Sequence, residues 1–155
     1  MSSAAAGGLA AIDPGRSKCG LALADAASAE VLEAGILPPA ACLRQIEAWS
    51  KAGRCHTVLL GNGTGSGPWR QQLAALPVQV IVVPEAGTTL AARQRLWQLE
   101  PPRGWRRLLP EGLRVPPRDL DDVVAQLLLE RHLQQPLQRR HCRWLSQGSA
   151  NGAGV

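Results

Sequence analysis

Leu9-Ala10-Ala11-Ile12-Asp13-Pro14-Gly15-Arg16-Ser17-Lys18-Cys19-Gly20-Leu21-Ala22-Leu23-Ala24 is the stretch that decides the fold. An apolar run stops at an acid, Pro14-Gly15 supplies turn chemistry, and a second apolar run begins at Gly20. Val31 to Leu37 reads as a third strand. Strands joined by connections this short pair antiparallel, because a parallel crossover needs a dozen or more residues.

Outward from this hairpin, the pattern changes period. Pro38 to Ala52 reads as a helix, with Leu43, Ile46 and Trp49 at helical spacing. Thr57 to Leu60 is a buried-type strand, and Trp69 to Leu76 a second helix. Val78 to Val83 is β-branched and strand-like. A helix capped by Thr88 or Thr89 runs on to Leu99. Pro101 to Pro117 is rich in Pro and Arg and reads as an irregular loop, and Asp119 to Leu133 as an apolar helix opened by acids. The later strand–helix–strand units require parallel crossovers. The expected architecture is an α/β mixed sheet with helices on its faces. Residues 1–8 read as a disordered lead-in and 9–135 as one domain. Residues 136–155 read as a tail that begins basic and ends rich in Gly, Ser and Ala.

Bulk composition narrows the function classes. The chain has 155 residues, enough for one ordinary domain, and 45% are hydrophobic, enough for a core. The net charge is +5, and Arg supplies fifteen of the seventeen basic residues. Arg grips phosphate in a two-pronged fork, so a polyanionic partner is expected, although a GC-rich gene also favours Arg. Cys19, Cys42, Cys55 and Cys142 include no C-x-x-C pair, which argues against zinc. With no secretory segment and no apolar run of membrane-spanning length, a cytoplasmic protein with reduced cysteines and no membrane partner is expected.

Three acidic sites each stand where an element begins or ends. Asp13 closes the first strand, Glu85 follows the strand Val78 to Val83, and Asp119, Asp121 and Asp122 open the last helix. Each has a bland reading alone: a turn cap, a solvated strand end, acids favoured by a helix dipole. As a set they suit a hard cation, which takes oxygen ligands. A two-metal nuclease gathers such carboxylates around ions about 4 Å apart.

Three motifs together carry a family resemblance. They are Ile12-Asp13-Pro14-Gly15-Arg16-Ser17-Lys18-Cys19-Gly20, Val83-Pro84-Glu85-Ala86-Gly87-Thr88-Thr89-Leu90-Ala91-Ala92-Arg93, and Leu120-Asp121-Asp122-Val123-Val124-Ala125-Gln126-Leu127-Leu128-Leu129-Glu130. In this order they resemble the YqgF family, also called RuvX, of the RNase H-like superfamily that includes the RuvC resolvases. The resemblance runs from about Leu9 to Leu133.

It implies an RNase H-like fold, a mixed five-stranded sheet with three antiparallel strands followed by parallel ones. It also implies a hydrolase cutting phosphodiester bonds with Mg²⁺ or Mn²⁺ held by Asp13, Glu85 and Asp121. Asp122 stays beside Asp121 as a candidate, since adjacent helical residues point about 100° apart and at most one faces a site squarely. Asp119 reads as an N-cap. The implied role is 5′-end processing of pre-16S rRNA in ribosome biogenesis, with structured RNA and ribosomal precursor particles as partners. The chain would act as a monomer or homodimer. A Holliday junction resolvase acting on branched DNA and a non-catalytic nucleic-acid-binding module are the alternatives. Ala86 stands where the family has Arg, and Pro84 where it has an acid, which favours the second.

The residues expected to touch nucleic acid are Arg16 and Lys18 in the first turn, and Asn62, Thr64 and Ser66 in the Gly61–Gly67 loop. Arg93, Arg106, Arg107 and Arg114 join them around the irregular segment. Only Glu100 and Glu111 oppose the seven arginines between Ala86 and Arg118. Trp105 is a candidate for base stacking, whereas Trp49 and Trp97 read as core.

Overall fold

The computed structural model describes residues 8–63 and 65–146. Six strands form one sheet: β1 (Leu9–Asp13), β2 (Cys19–Asp25), β3 (Glu30–Leu37), β4 (Thr57–Gly61), β5 (Gln79–Val83) and β6 (Arg143–Leu145). Their spatial order is β5-β4-β1-β2-β3-β6. β2 runs antiparallel to β1 and β3, while β4 pairs parallel with β1, β5 with β4, and β6 with β3. The helices are α1 (Pro39–Lys51), α2 (Ser66–Ala74), α3 (Thr88–Leu99) and α4 (Asp121–Leu133). This is the mixed α/β sheet expected, with one strand more than the five anticipated.

The sixth strand comes from the segment read as a tail. Leu137 and Leu145 are buried, Val31 N donates to Gln138 O, and Gln138 N donates to Ala29 O. The segment Arg143–Leu145 carries no alternating pattern long enough to announce a strand. It becomes one because the open edge of β3 offers unpaired backbone groups. Residues 1–7 and 147–155, which hold the rest of the proposed lead-in and tail, lie outside the described residues.

Strand alternation divides the sheet's side chains between two cores. On one face Ala10, Ile12, Leu21 and Leu23 pack against Cys42, Ile46 and Trp49 of α1 and against Trp69 and Leu73 of α2. On the other, Ala11, Ala22, Ala24 and Ala34 meet Ala125, Leu128 and Leu129 of α4. The alanines leave room for α4 to lie close to the sheet. Trp97, Ala92 and Leu96 of α3 then pack on the outer side of α4. Trp49 and Trp97 are core residues, as expected.

Close approach positions the site at Gly20, the register partner of Asp13. A Cβ there would stand 1.8 Å from the carbonyl oxygen of Asp121. No backbone atom yields that far, so the missing side chain lets the start of α4 sit over the end of β1. The irregular segment 101–118 crosses the outside of α3 and contains two 3-10 turns, Gly104–Leu108 and Glu111–Leu113.

Candidate active site

Asp13 ends β1, Glu85 stands two residues after β5, and Asp121 opens α4. All three line one pocket, together with Thr88, Thr89 and Val124. Chain separations of 72 and 36 residues are thereby closed by the sheet order, which sets β1, β4 and β5 side by side, and by α4 over Gly20.

Glu85 is held by the loop after β4. Asn62 Oδ1 accepts from Glu85 N at 3.1 Å, and Asn62 N donates to Val83 O at 2.9 Å. A Cβ at Gly61 would lie 1.9 Å from Glu85 Oε1, and one at Gly63 2.3 Å from Glu85 Oε2. These glycines therefore make room for a carboxylate of the same chain. Asn62, expected to touch nucleic acid, spends its side-chain oxygen on the Glu85 backbone. Ser66 is the first residue of α2, and Thr64 lies outside the described residues. Past Glu85, Gly87 adopts φ +74°, which a side chain would disfavour. Thr88 Oγ1 donates back to Glu85 O at 2.7 Å rather than capping α3.

Packing the acids together shows in the proton affinity of Asp13. Burial, then the charge and hydrogen bond of Glu85, then Asp121, push the Asp13 carboxyl up to about 8. Asp13 thus keeps a proton near neutrality, among the charges of Glu85 and Asp121. Burial also raises Asp121, against the opposing pull of Lys18. Glu85 Oε1 and Asp121 Oδ2 are buried oxygens with no hydrogen-bond partner. Such oxygens are costly to leave unmet and suit a hard cation as ligands. Among the described residues no group of three or more His, Cys, Asp and Glu side chains forms a ready-made metal cage. Oxygen-only donors that leave part of the shell to water and phosphate are how Mg²⁺ is commonly held.

The adjacent acids of α4 separate cleanly. Asp122 is fully buried, away from the pocket. Its Oδ1 accepts from Arg118 Nη1 at 2.6 Å and its Oδ2 from Arg139 Nη1 at 2.9 Å. As a site candidate Asp122 is corrected: it ties the irregular segment and the C-terminal segment to α4. Asp119 is corrected too. The N-cap of α4 is Leu120 without a side-chain bond, and Asp119 pairs with Lys18. Lys18 Nζ also stands 3.8 Å from Asp121 Oδ2, so this expected nucleic-acid contact borders the pocket. Arg16 is exposed in the same turn.

Arg93, Arg106, Arg107 and Arg114 stand on α3 and the irregular segment, beyond the acids. Arg114 Nε donates to Arg106 O at 3.0 Å, and its guanidinium lies 5.9 Å from the Trp97 ring. Two further arginines were not picked out from the sequence. Arg139 completes the Asp122 network, and Arg131 Nη1 donates to Ala86 O at 2.9 Å, beside Glu85. Nothing local marks either, since their partners lie 17 and 45 residues away.

No protein-family model matches the sequence, and no curated protein matches it. Among solved structures, the chain is similar to T. thermophilus RuvC in complex with a Holliday junction substrate. The identity is 16%, over 81% of this chain and 96% of that one, with a TM-score of 0.44. It is also similar to a point mutant of gp2c of the large terminase subunit from bacteriophage Sf6, with calcium. There the identity is 14%, over 80% of this chain and 70% of that one, with a TM-score of 0.39.

Proposed function

We propose that this chain hydrolyses phosphodiester bonds in nucleic acid with Mg²⁺ or Mn²⁺ held by Asp13, Glu85 and Asp121. The observation that carries the reading is the convergence of these carboxylates in one pocket, with buried oxygens of Glu85 and Asp121 left without partners. Structured RNA carrying the immature end of 16S rRNA is the proposed substrate, on the motif resemblance.

When bound, the cation would supply positive charge at the scissile phosphate and a more acidic water. The protein's own part is legible. Asp13 holds a proton up to about pH 8 in the free pocket, and giving it up frees its oxygens to act as ligands. Asn62, Gly61 and Gly63 fix where the Glu85 carboxylate lies. Lys18 keeps a positive charge at the pocket's edge, through Asp119 and near Asp121, where a substrate phosphate would meet it.

The test is Mn²⁺-dependent cleavage of an RNA carrying the immature 16S end, with a four-way DNA junction in parallel. Wild type is expected to cut the RNA, and Asp13→Asn and Glu85→Gln to lose at least a hundredfold, roughly the scale of one essential electrostatic contact. Preferential cutting of the junction would move the substrate to branched DNA. Binding without cutting in wild type, or equal cutting by the variants, would leave a nucleic-acid-binding module.

A further inference from the structure

The segment 101–118 holds chemistry that the three acids do not use. Trp105 is 62% exposed; Trp144 is 48% exposed but lies under Arg118, which is itself ion-paired, and Trp49, Trp69 and Trp97 are buried. The guanidinium of Arg106 lies over the Trp105 ring, 5.1 Å from its centroid. Arg106 Nε is buried with no hydrogen-bond partner. Arg103 and Arg106 also border a cavity of about 400 Å³ between the end of α3 and this segment, walled by Trp97, Pro101, Pro102 and Pro117. That size falls in the range of small-ligand sites. Glu100 lines the cavity as well, but its carboxylate is bound by Arg118 at 2.9 Å. Among the described residues Arg103, Arg106 and Arg107 have no acidic partner in an ion pair.

An exposed indole beside unpaired guanidinium groups calls for a ligand that is both aromatic and anionic. We propose that the 101–118 segment holds an unpaired nucleotide, with its base stacked on Trp105 and its phosphates facing Arg103 and Arg106. A base inside a duplex is covered on both faces by its neighbours, so away from duplex ends only an unpaired one offers a face to the indole. Charge complementarity selects nucleic acid over a neutral apolar partner, since apolar docking alone would leave Arg103, Arg106 and Arg107 without counter-charge. The inference rests on the nuclease reading for the identity of the polymer. It adds that the substrate carries a single-stranded element away from the cut. Twelve residues of α3 separate the Glu85 end from the start of this segment, about 18 Å at the rise of an α-helix. The unpaired nucleotide would therefore lie several positions from the scissile phosphate.

The experiment is equilibrium binding of the full chain, in chelator so that nothing is cut. The probes are end-labelled oligouridylate and oligodeoxythymidylate, against a blunt duplex of equal length. Wild type is expected to prefer single strands and to show quenched tryptophan emission on binding. Trp105→Ala should abolish that quenching and weaken single-strand binding about 5- to 150-fold, the range for one base–aromatic stack, with duplex binding unchanged. Trp105→Tyr should restore most of the affinity. Arg103→Ala with Arg106→Ala should lower the salt dependence by about 1.4 in slope, two contacts at about 0.7 each. Duplex bound as tightly as single strand, or Trp105→Ala binding like wild type, overturns the proposal. So does a change in oligomeric mass in Trp105→Ala, which would make the surface a contact between copies. A chain that binds single strands through Trp105 but never cuts refutes the nuclease reading alone. One that cuts with Trp105 silent refutes this inference alone.

Discussion

Asp121 and Asp122 are neighbours in sequence, yet their replacement by Asn should have opposite consequences. Asp122 is fully buried and accepts charged hydrogen bonds from Arg118 and Arg139, whose side chains are 25% and 13% exposed. Asn keeps the shape and one acceptor oxygen but removes the negative charge between two guanidinium groups. Breaking a buried ion pair on one side costs about 3–5 kcal/mol, mainly because the remaining charge loses its compensation. Arg118 keeps Glu100 and some solvent, so the lower end, about 3 kcal/mol, applies. At about 2–4 °C per kcal/mol for a chain near this size, Asp122→Asn should melt about 6–12 °C below wild type. Asp121→Asn removes a carboxylate already disfavoured as an anion by burial and crowded by Asp119 and Asp122. Its melting temperature should stay level or rise, while metal-dependent cleavage disappears. Thermal unfolding followed by circular dichroism at neutral pH, with chelator, decides it. Equal melting of the two variants, or a larger loss in Asp121→Asn, would refute the separation of roles.

Two further outcomes follow from the same geometry. The Asp13 carboxyl binds its proton more tightly folded than unfolded, about 8 against 3.8, so its contribution is full below pH 4 and drains away as pH rises through 8. In chelator the wild-type melting temperature should therefore fall from about pH 4 to about pH 8 and level off above it, whereas Asp13→Asn should flatten that slope. Mn²⁺ should restore the alkaline side, and an unchanged slope in Asp13→Asn would count against the carboxylate cluster. Gly20→Ala would push a Cβ into the Asp121 carbonyl and lift the start of α4, at about 1–3 kcal/mol for overpacking. Cleavage should fall far more than stability, and a fully active Gly20→Ala would show that Asp121 is not placed by this contact.

How much of this was readable in the sequence varies by element. The apolar runs ending at Asp13 and Val83 mark their strands because a short apolar or β-branched run bounded by turn residues declares itself from its own residues. β6 was hidden, because Arg143, Trp144 and Leu145 have no pattern of their own and take strand form from the β3 edge. The Gly61–Gly63 loop advertised a close approach but not its occupant. Glycine records that something lies near, and Glu85 arrives from more than twenty residues away.

By itself, the sequence determined that acids follow apolar strands and open an apolar helix, that Arg and Trp crowd 101–118, and that a hairpin precedes crossover units. These are local matters of hydrophobic period, turn chemistry and charge. Only the tertiary structure decided that Asp13, Glu85 and Asp121 share a pocket, that Asp122 belongs to Arg118 and Arg139, and that Trp105 is left exposed. Which way a helix turns its residues is set by what it packs on. Here that is the small-residue face of the sheet, with Gly20 admitting the first turn of α4 to the end of β1.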